Sequence, residues 1–254
     1  MNLNLMTHLT WKEYELRAQK DILILPIGST EQHGPHLPLG VDAIISNQLA
    51  LILADRTESL VAPVLSYGYK SQPTSGGGPL FPGTIDLSGA SFTALVCDII
   101  KEFLVDGWQK IFVLNGHFEN EAFIGEAADL LMRNQDTLFP KIVVASWWNN
   151  ISPEVMSRIF DQVEFPGWEL EHAAVTETSL MMHFAPELVR KDQIVGEGLE
   201  NYPSYQCFPP SRTLLPESGA LHGAYSSSAE KGQLIAEDVV KNFITLLNKE
   251  FSKG

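Results

Sequence analysis

Two cysteines among 254 residues, Cys97 and Cys207, are too few and too far apart to build a disulfide framework, and they fit a reduced, cytoplasmic protein. No apolar run approaches the ~18 residues of a membrane span. The opening MNLNLMTHLTWKEYELRAQK has no basic start followed by an apolar core, so neither a signal peptide nor membrane binding is expected. Positive charge is also scarce: 17 Lys and Arg stand against 31 Asp and Glu, a net charge of −14, and the acidic residues are scattered rather than gathered in a tail. Such a field disfavours nucleic acid as a partner. Internal repeats and low-complexity tracts are missing. Gly76-Gly77-Gly78 lacks the spacing and the following Lys-Ser/Thr of a phosphate-binding P-loop.

What is present is an ordinary globular composition, 44% hydrophobic and 19% charged, long enough for one well-buried domain over residues 1–254. Thr10 with Glu13 three residues on reads as a capped short helix. Residues 21–27, DILILPI, form a continuous apolar run, as expected of a strand covered on both faces of a parallel sheet. Further strands are expected at Val61–Leu65, Ile111–Leu114 and Ile142–Ala145. Helical patterns follow from Asp42, where Asp42 stands at an N-cap position, from Phe92 to Leu104 with Gly107 as the stop, and from Ala122 to Met132. Residues 161–180 hold a third concentration of polar and aromatic groups, Trp168, Glu169, Glu171, His172 and Glu177, opening a helix that runs to about Phe184. Ser227 to Glu230 has the form of a capping box ahead of the closing helix. Four strand-then-helix units predict an α/β fold with a largely parallel sheet and a site along its C-terminal edge. The Pro-rich stretch 201–218 is aperiodic and reads as a surface excursion or oligomer contact.

Two polar clusters follow apolar runs. The first, PIGSTEQHGPHLPLGVD at 26–42, holds Glu31, His33, His36 and Asp42; the second, NGHFEN at 115–120, holds His117 and Glu119. Glu31 and His33, like His117 and Glu119, are two residues apart, so in extended chain both side chains of a pair project to one side. Each cluster can therefore offer a metal one carboxylate and one imidazole, and Asp42 can bridge two ions. Nitrogen and carboxylate ligands without thiolate suit Zn or Mn. Two such ions ~3.5–4 Å apart hold a hydroxide and polarise a carbonyl. His36, between Pro35 and Pro38, reads as a supporting residue, and His8, His183 and His222 as structural or surface residues.

The chain resembles the creatininase (creatinine amidohydrolase) family in GSTEQHGPHLPLGVD at 28–42, YGYKSQPTSGGG at 67–78, FPGT at 81–84, NGHFEN at 115–120 and GWELEHAAVTETS at 167–179. The resemblance implies a three-layer α/β/α sandwich, a homohexamer, and two divalent metal ions per chain, Zn and/or Mn. Glu31 and His117 would hold one ion, His33 and Glu119 the other, with Asp42 between them. It also implies a pocket for a small-molecule substrate at Ser75, Phe118, Trp148, Trp168, Glu169 and His172, with Trp148 and Trp168 as an aromatic flap. Phe118 stands where the family has Tyr, and Glu169 where it has Asp.

The expected chemistry is reversible hydrolysis of creatinine to creatine by a metal-bridging hydroxide. His172 passes a proton to the departing ring nitrogen, and Glu119 positions or deprotonates the water. Glu171 and Glu177 are candidates to orient His172, or simply carboxylates at a helix N-terminus. Trp11, Trp108 and Trp147 read as core or interface packing residues. The alternatives are the same fold acting on another small cyclic amide, a formamide or a cyclic ketone such as an oxidised cyclitol, and a catalytically silent, metal-stabilised binding protein.

Overall fold

Four short apolar runs become the strands of one parallel sheet in the computed structural model, which describes residues 4–72, 75–133, 137, 139–196, 198 and 205–251. They are β1 (Ile22–Ile27), β2 (Ser59–Val61), β3 (Lys110–Asn115) and β4 (Lys141–Ser146), in the order β2-β1-β3-β4. Seven α-helices accompany them: α1 (Trp11–Ala18), α2 (Val41–Asp55), α3 (Gly89–Val105), α4 (Glu121–Met132), α5 (Pro153–Ile159), α6 (Val175–Phe184) and α7 (Ala229–Phe251).

The sheet is buried on both faces, and alternate residues of each strand feed two separate cores. Ile24, Val61, Phe112 and Leu114 pack with α2, α5, α6 and α7. Leu23, Leu25, Leu60, Ile111 and Val113 pack with α1, α3 and α4. These are the helix, sheet and helix layers of a three-layer sandwich, and the double coverage explains the unbroken apolar runs. Because β1 connects outward to β2 while β3 connects outward to β4, the strand order reverses between β1 and β3. Open α/β sheets place ligands at the strand C-termini of such a switch point.

Several local expectations hold and several shift. Thr10 forms its capping box with Glu13, and α3 ends ahead of Gly107 at φ +95°. The second strand is Ser59–Val61 rather than Val61–Leu65, since Pro63 has no N–H for a ladder; only a bridge from Leu65 to Ile27 remains beyond it. Helix α7 is capped one residue later than expected, where Ser228 Oγ accepts the N–H of Lys231 at 3.2 Å. Trp11 is 70% exposed and so takes no part in the core, whereas Trp108 is fully buried against Tyr14. Of the stretch 201–218, residues 201–204 lie outside the described residues. No helix among the described residues is long and apolar enough to cross a membrane.

Candidate metal centre and cleft

Residues Ile27 and Asn115 are paired at the C-terminal ends of β1 and β3, so the segments that follow them leave the sheet side by side. Two glycines then let helix α2 come close. A Cβ on Gly28 would collide with the backbone nitrogen of Ala43, and one on Gly116 would lie 2.6 Å from the carbonyl oxygen of Asp42. The close approach thrusts the first turn of α2 into the gap between the two segments. Asp42 is the second residue of that helix; the N-cap is Gly40, and no side chain caps the helix. Its carboxylate is therefore directed to the histidines instead of the helix backbone.

The resulting cluster is tight. His117 Nδ1 is 3.0 Å from Glu31 Oε1 and 3.0 Å from Asp42 Oδ2. His33 Nε2 is 3.1 Å from Asp42 Oδ1 and 3.6 Å from Glu177 Oε1. Glu31, Asp42 and His117 form one set of potential ligands, and His33, Asp42 and Glu177 a second, with Asp42 common to both. A third grouping, Glu31, His33 and His172, overlaps them. The resemblance pairs His33 with Glu119; in the structure Glu177, from the first turn of α6, is the carboxylate beside His33, and Glu119 is in none of the three groups. Glu119 stands behind His117, its Oε2 3.2 Å from Nε2, which also lies 3.1 Å from the carbonyl of Tyr69. The other oxygen of Glu119 accepts from the Gln72 N–H at 2.8 Å and from the hydroxyl of Ser75.

The donor set fits cations. Glu31 Oε2 is buried without a hydrogen-bond partner, and His33 Nε2 and Asp42 Oδ2, though within ion-pair distance of Asp42 Oδ1 and His117 Nδ1, make no aligned hydrogen bond. Unpaired buried carboxylate oxygens carry a large desolvation cost, which a cation between them removes. The other nitrogens are already committed: His33 Nδ1 lies 3.2 Å from the Glu31 carbonyl, leaving Nε2 to face the carboxylates. Burial opposes charge on His33, but Glu177 and Asp42 outweigh it and hold its pKa well above the ordinary value. Burial likewise opposes charge on His117, and Glu31 and Glu119 outweigh it. Burial pushes the Asp42 carboxyl upward, yet His33 and His117 hold it well below the usual carboxylate range. In the absence of a cation, protons on the two imidazoles supply the charge that the carboxylates demand.

Above the cluster lies a cleft with about 390 Å³ of empty volume, lined by Ser75, Phe118, Trp147, Trp148, Trp168 and His172 among others. Trp147 meets Trp148 and Trp168 edge to face, with ring centroids 5.6 and 6.3 Å apart, and Phe118 lies 6.0 Å from Trp148. Trp147, expected only to pack, thus lines the cleft as well. Glu169, expected in the pocket, is exposed and absent from the lining. His172 stacks on His33 at 4.4 Å, and burial pushes its pKa down.

Neither Glu171 nor Glu177 orients His172. Glu171 accepts the N–H of Val175 at 3.3 Å and of Thr176 at 2.8 Å, together with the Thr176 hydroxyl, and so serves the N-terminus of α6. Glu177 Oε2 accepts the N–H of Ala173, which sits at φ +55°. His36 bonds Thr178 through Nε2 at 3.0 Å, a supporting position as expected; burial lowers its pKa to about 4. His8, His183 and His222 are not among the lining residues.

Residues 7–247 match the family model described as Creatininase: Creatinine amidohydrolase. The creatinine amidohydrolase of Pseudomonas putida is 41% identical over 252 residues, 96% of this chain and 95% of that protein. Among solved structures, a mutant creatininase of Zn-Zn type superposes with a TM-score of 0.94 at 39% identity, covering 100% of both chains. A structure described as creatininase Mn does so with a TM-score of 0.93 at 40% identity, over 98% of this chain and 99% of that one.

Proposed function

The chain belongs to the creatininase family, and from that premise we propose that it hydrolyses the ring amide of creatinine to creatine with two divalent ions, Zn or Mn. The observation that carries the reading is Asp42, shared by two buried ligand groups on the floor of an aromatic cleft. We assign Glu31, Asp42 and His117 to one ion and His33, Asp42 and Glu177 to the other. When bound, such a pair polarises a carbonyl and makes water a strong nucleophile near neutral pH.

The chain's own residues perform the rest. Water adds its oxygen to the ring carbonyl carbon, the carbon–nitrogen bond breaks, and the departing ring nitrogen takes a proton. His172, kept neutral by burial, carries that proton. Glu119 and the Tyr69 carbonyl hold His117 from behind and so present Nδ1 to the cluster. Ser75, bonded to Glu119, brings the 75–78 segment to the cleft wall. Trp147, Trp148 and Trp168 offer flat apolar faces to a planar, guanidine-like ring and exclude bulk water.

The same reading takes residues 1–254 as a single catalytic domain in the cytoplasm, assembled as a homohexamer, with no nucleic-acid or membrane partner. The test is creatine formation from creatinine by protein as isolated, after chelation, and after Zn or Mn is returned. Turnover abolished by chelation and restored by metal supports it. No turnover with two ions bound per chain refutes the substrate and transfers the reading to another small cyclic amide, a formamide or a cyclic ketone. Phe118, 38% exposed at the rim of the cleft, is then the first position to exchange.

A further inference from the structure

Between Glu31 and His33 stands Gln32, buried with 6% of its surface exposed. Its side-chain amide is fully used. Oε1 accepts the N–H of Gly34 at 2.9 Å, while Nε2 donates to the carbonyls of Gly76 at 2.5 Å and Gly219 at 2.9 Å. Three segments distant in sequence thus meet at one group. Both carbonyl anchors are glycines in crowded places, and a Cβ on Gly76 would first meet Ser71 Oγ. A Cβ on Gly219, at φ +77°, would collide with Gln32 Oε1; one on Gly76 would lie 3.0 Å from Glu31 Oε2 and 3.2 Å from His172 Cε1. Gly77 and Gly78 follow at φ +89° and +56°, a Cβ on Gly78 colliding with the carbonyl oxygen of Ser71, so the run is explained by backbone geometry rather than by phosphate chemistry.

Gln32 also touches His172. Nε2 of the imidazole is 2.7 Å from the backbone carbonyl of Gln32 and 3.0 Å from its amide nitrogen. A carbonyl oxygen only accepts, so Nε2 carries the hydrogen. The amide nitrogen has none left for the ring, since both its hydrogens go to Gly76 and Gly219. His172 Nδ1 therefore keeps its lone pair, and it is the nitrogen on the side of the cluster, 3.8 Å from Glu31 Oε1. The backbone of His172 is tied to the same assembly, its carbonyl accepting the N–H of Leu221 at 3.3 Å.

We propose that Gln32 is a positioning residue for proton transfer. Its backbone carbonyl fixes the His172 tautomer that presents Nδ1 to the cleft, and its side-chain amide clamps the 75–78 and 216–221 segments against that imidazole. Turnover as a readout rests on the hydrolysis proposed above, whereas tautomer and amide exchange are measured independently of it.

Gln32→Met keeps the side-chain volume while removing both hydrogens and the acceptor. In the metal-loaded protein, kcat is expected to fall about ten- to a hundred-fold, with KM little changed and two ions per chain retained. Amide exchange at Gly76, Gly77 and Gly78 should accelerate at least about tenfold as the clamp opens. In the unaltered protein, ¹⁵N shifts of His172 should report hydrogen on Nε2. An Nδ1–H tautomer, unchanged exchange, or kcat within about twofold of the unaltered protein overturns the proposal. So does a loss of activity that merely follows loss of metal. Should Gln32→Met not fold, Gln32→Glu carries the same expectations, because it keeps the size but cannot donate to either carbonyl. If the unaltered protein leaves creatinine intact, the substrate assignment fails while tautomer and exchange still decide the role of Gln32.

Discussion

Glu171 is a carboxyl group that the fold keeps out of water, at 5% exposure, although it accepts three hydrogen bonds from the start of α6. Burial raises its pKa from 4.5 to about 7, the hydrogen bonds from Val175 and Thr176 recovering only part of the cost. The folded protein therefore binds more protons than the unfolded chain between those values, and stability falls as pH rises through that window. At about 1.4 kcal/mol for each pH unit, the group withdraws about 3 kcal/mol of stability between pH 4.5 and pH 7. Glu171→Gln removes the titration and turns an NH₂ toward the α6 donors, a penalty that does not vary with pH. The assay is denaturant unfolding of the chelated protein across about pH 4.5–8, with no cation near the carboxyl. The stability of the variant relative to the parent should rise by about 3 kcal/mol across the window. A difference that stays flat within about 0.5 kcal/mol refutes the reasoning, since contributions from His33, His117 and every other titrating group cancel in the comparison.

The two ligand groups are separable by mutation. Glu177→Ala should leave one metal ion per chain by elemental analysis and abolish turnover, while Glu119→Ala should keep both ions and lower kcat about 10- to 100-fold through His117. Two ions retained in Glu177→Ala would return the second group to Glu119. Gly28→Ala drives a methyl group into the backbone of α2, and overpacking of this kind costs about 1–3 kcal/mol. Its thermal midpoint should fall by several degrees and its metal content with it, because the displaced turn carries Asp42; an unchanged midpoint would show that α2 is not held against β1 as described.

Much of this site could be read without coordinates because its candidate ligands stand beside turn-forming residues at strand ends, where Gly and Pro mark the loop. Glu31, His33, Asp42 and His117 all lie in such segments. Glu177 escaped because it belongs to the first turn of a helix that is buried nearly throughout, where a carboxylate reads as a partner for the helix dipole. What aims it at His33 is the left-handed turn at Ala173, which no residue type announces. Gln32 was overlooked for a related reason: an amide between two ligands has no chemistry of its own, and its value arises from Gly76 and Gly219, which lie 44 and 187 residues away. Trp147 looked like packing because β4 continues straight into it, and only the cleft shows that it has a second face. The alternation of strands and helices was plain throughout, whereas β2 slid by two residues because Pro63 outweighed the apolar content of its neighbours.

The two ligand groups that share Asp42 demand different lengths of chain. One is complete once His117 exists; the other waits for Glu177, sixty positions later. At synthesis rates of about 5–20 residues per second that gap is roughly 3–12 s. A nascent polypeptide thus carries all three residues of the first group before Glu177 of the second has been translated.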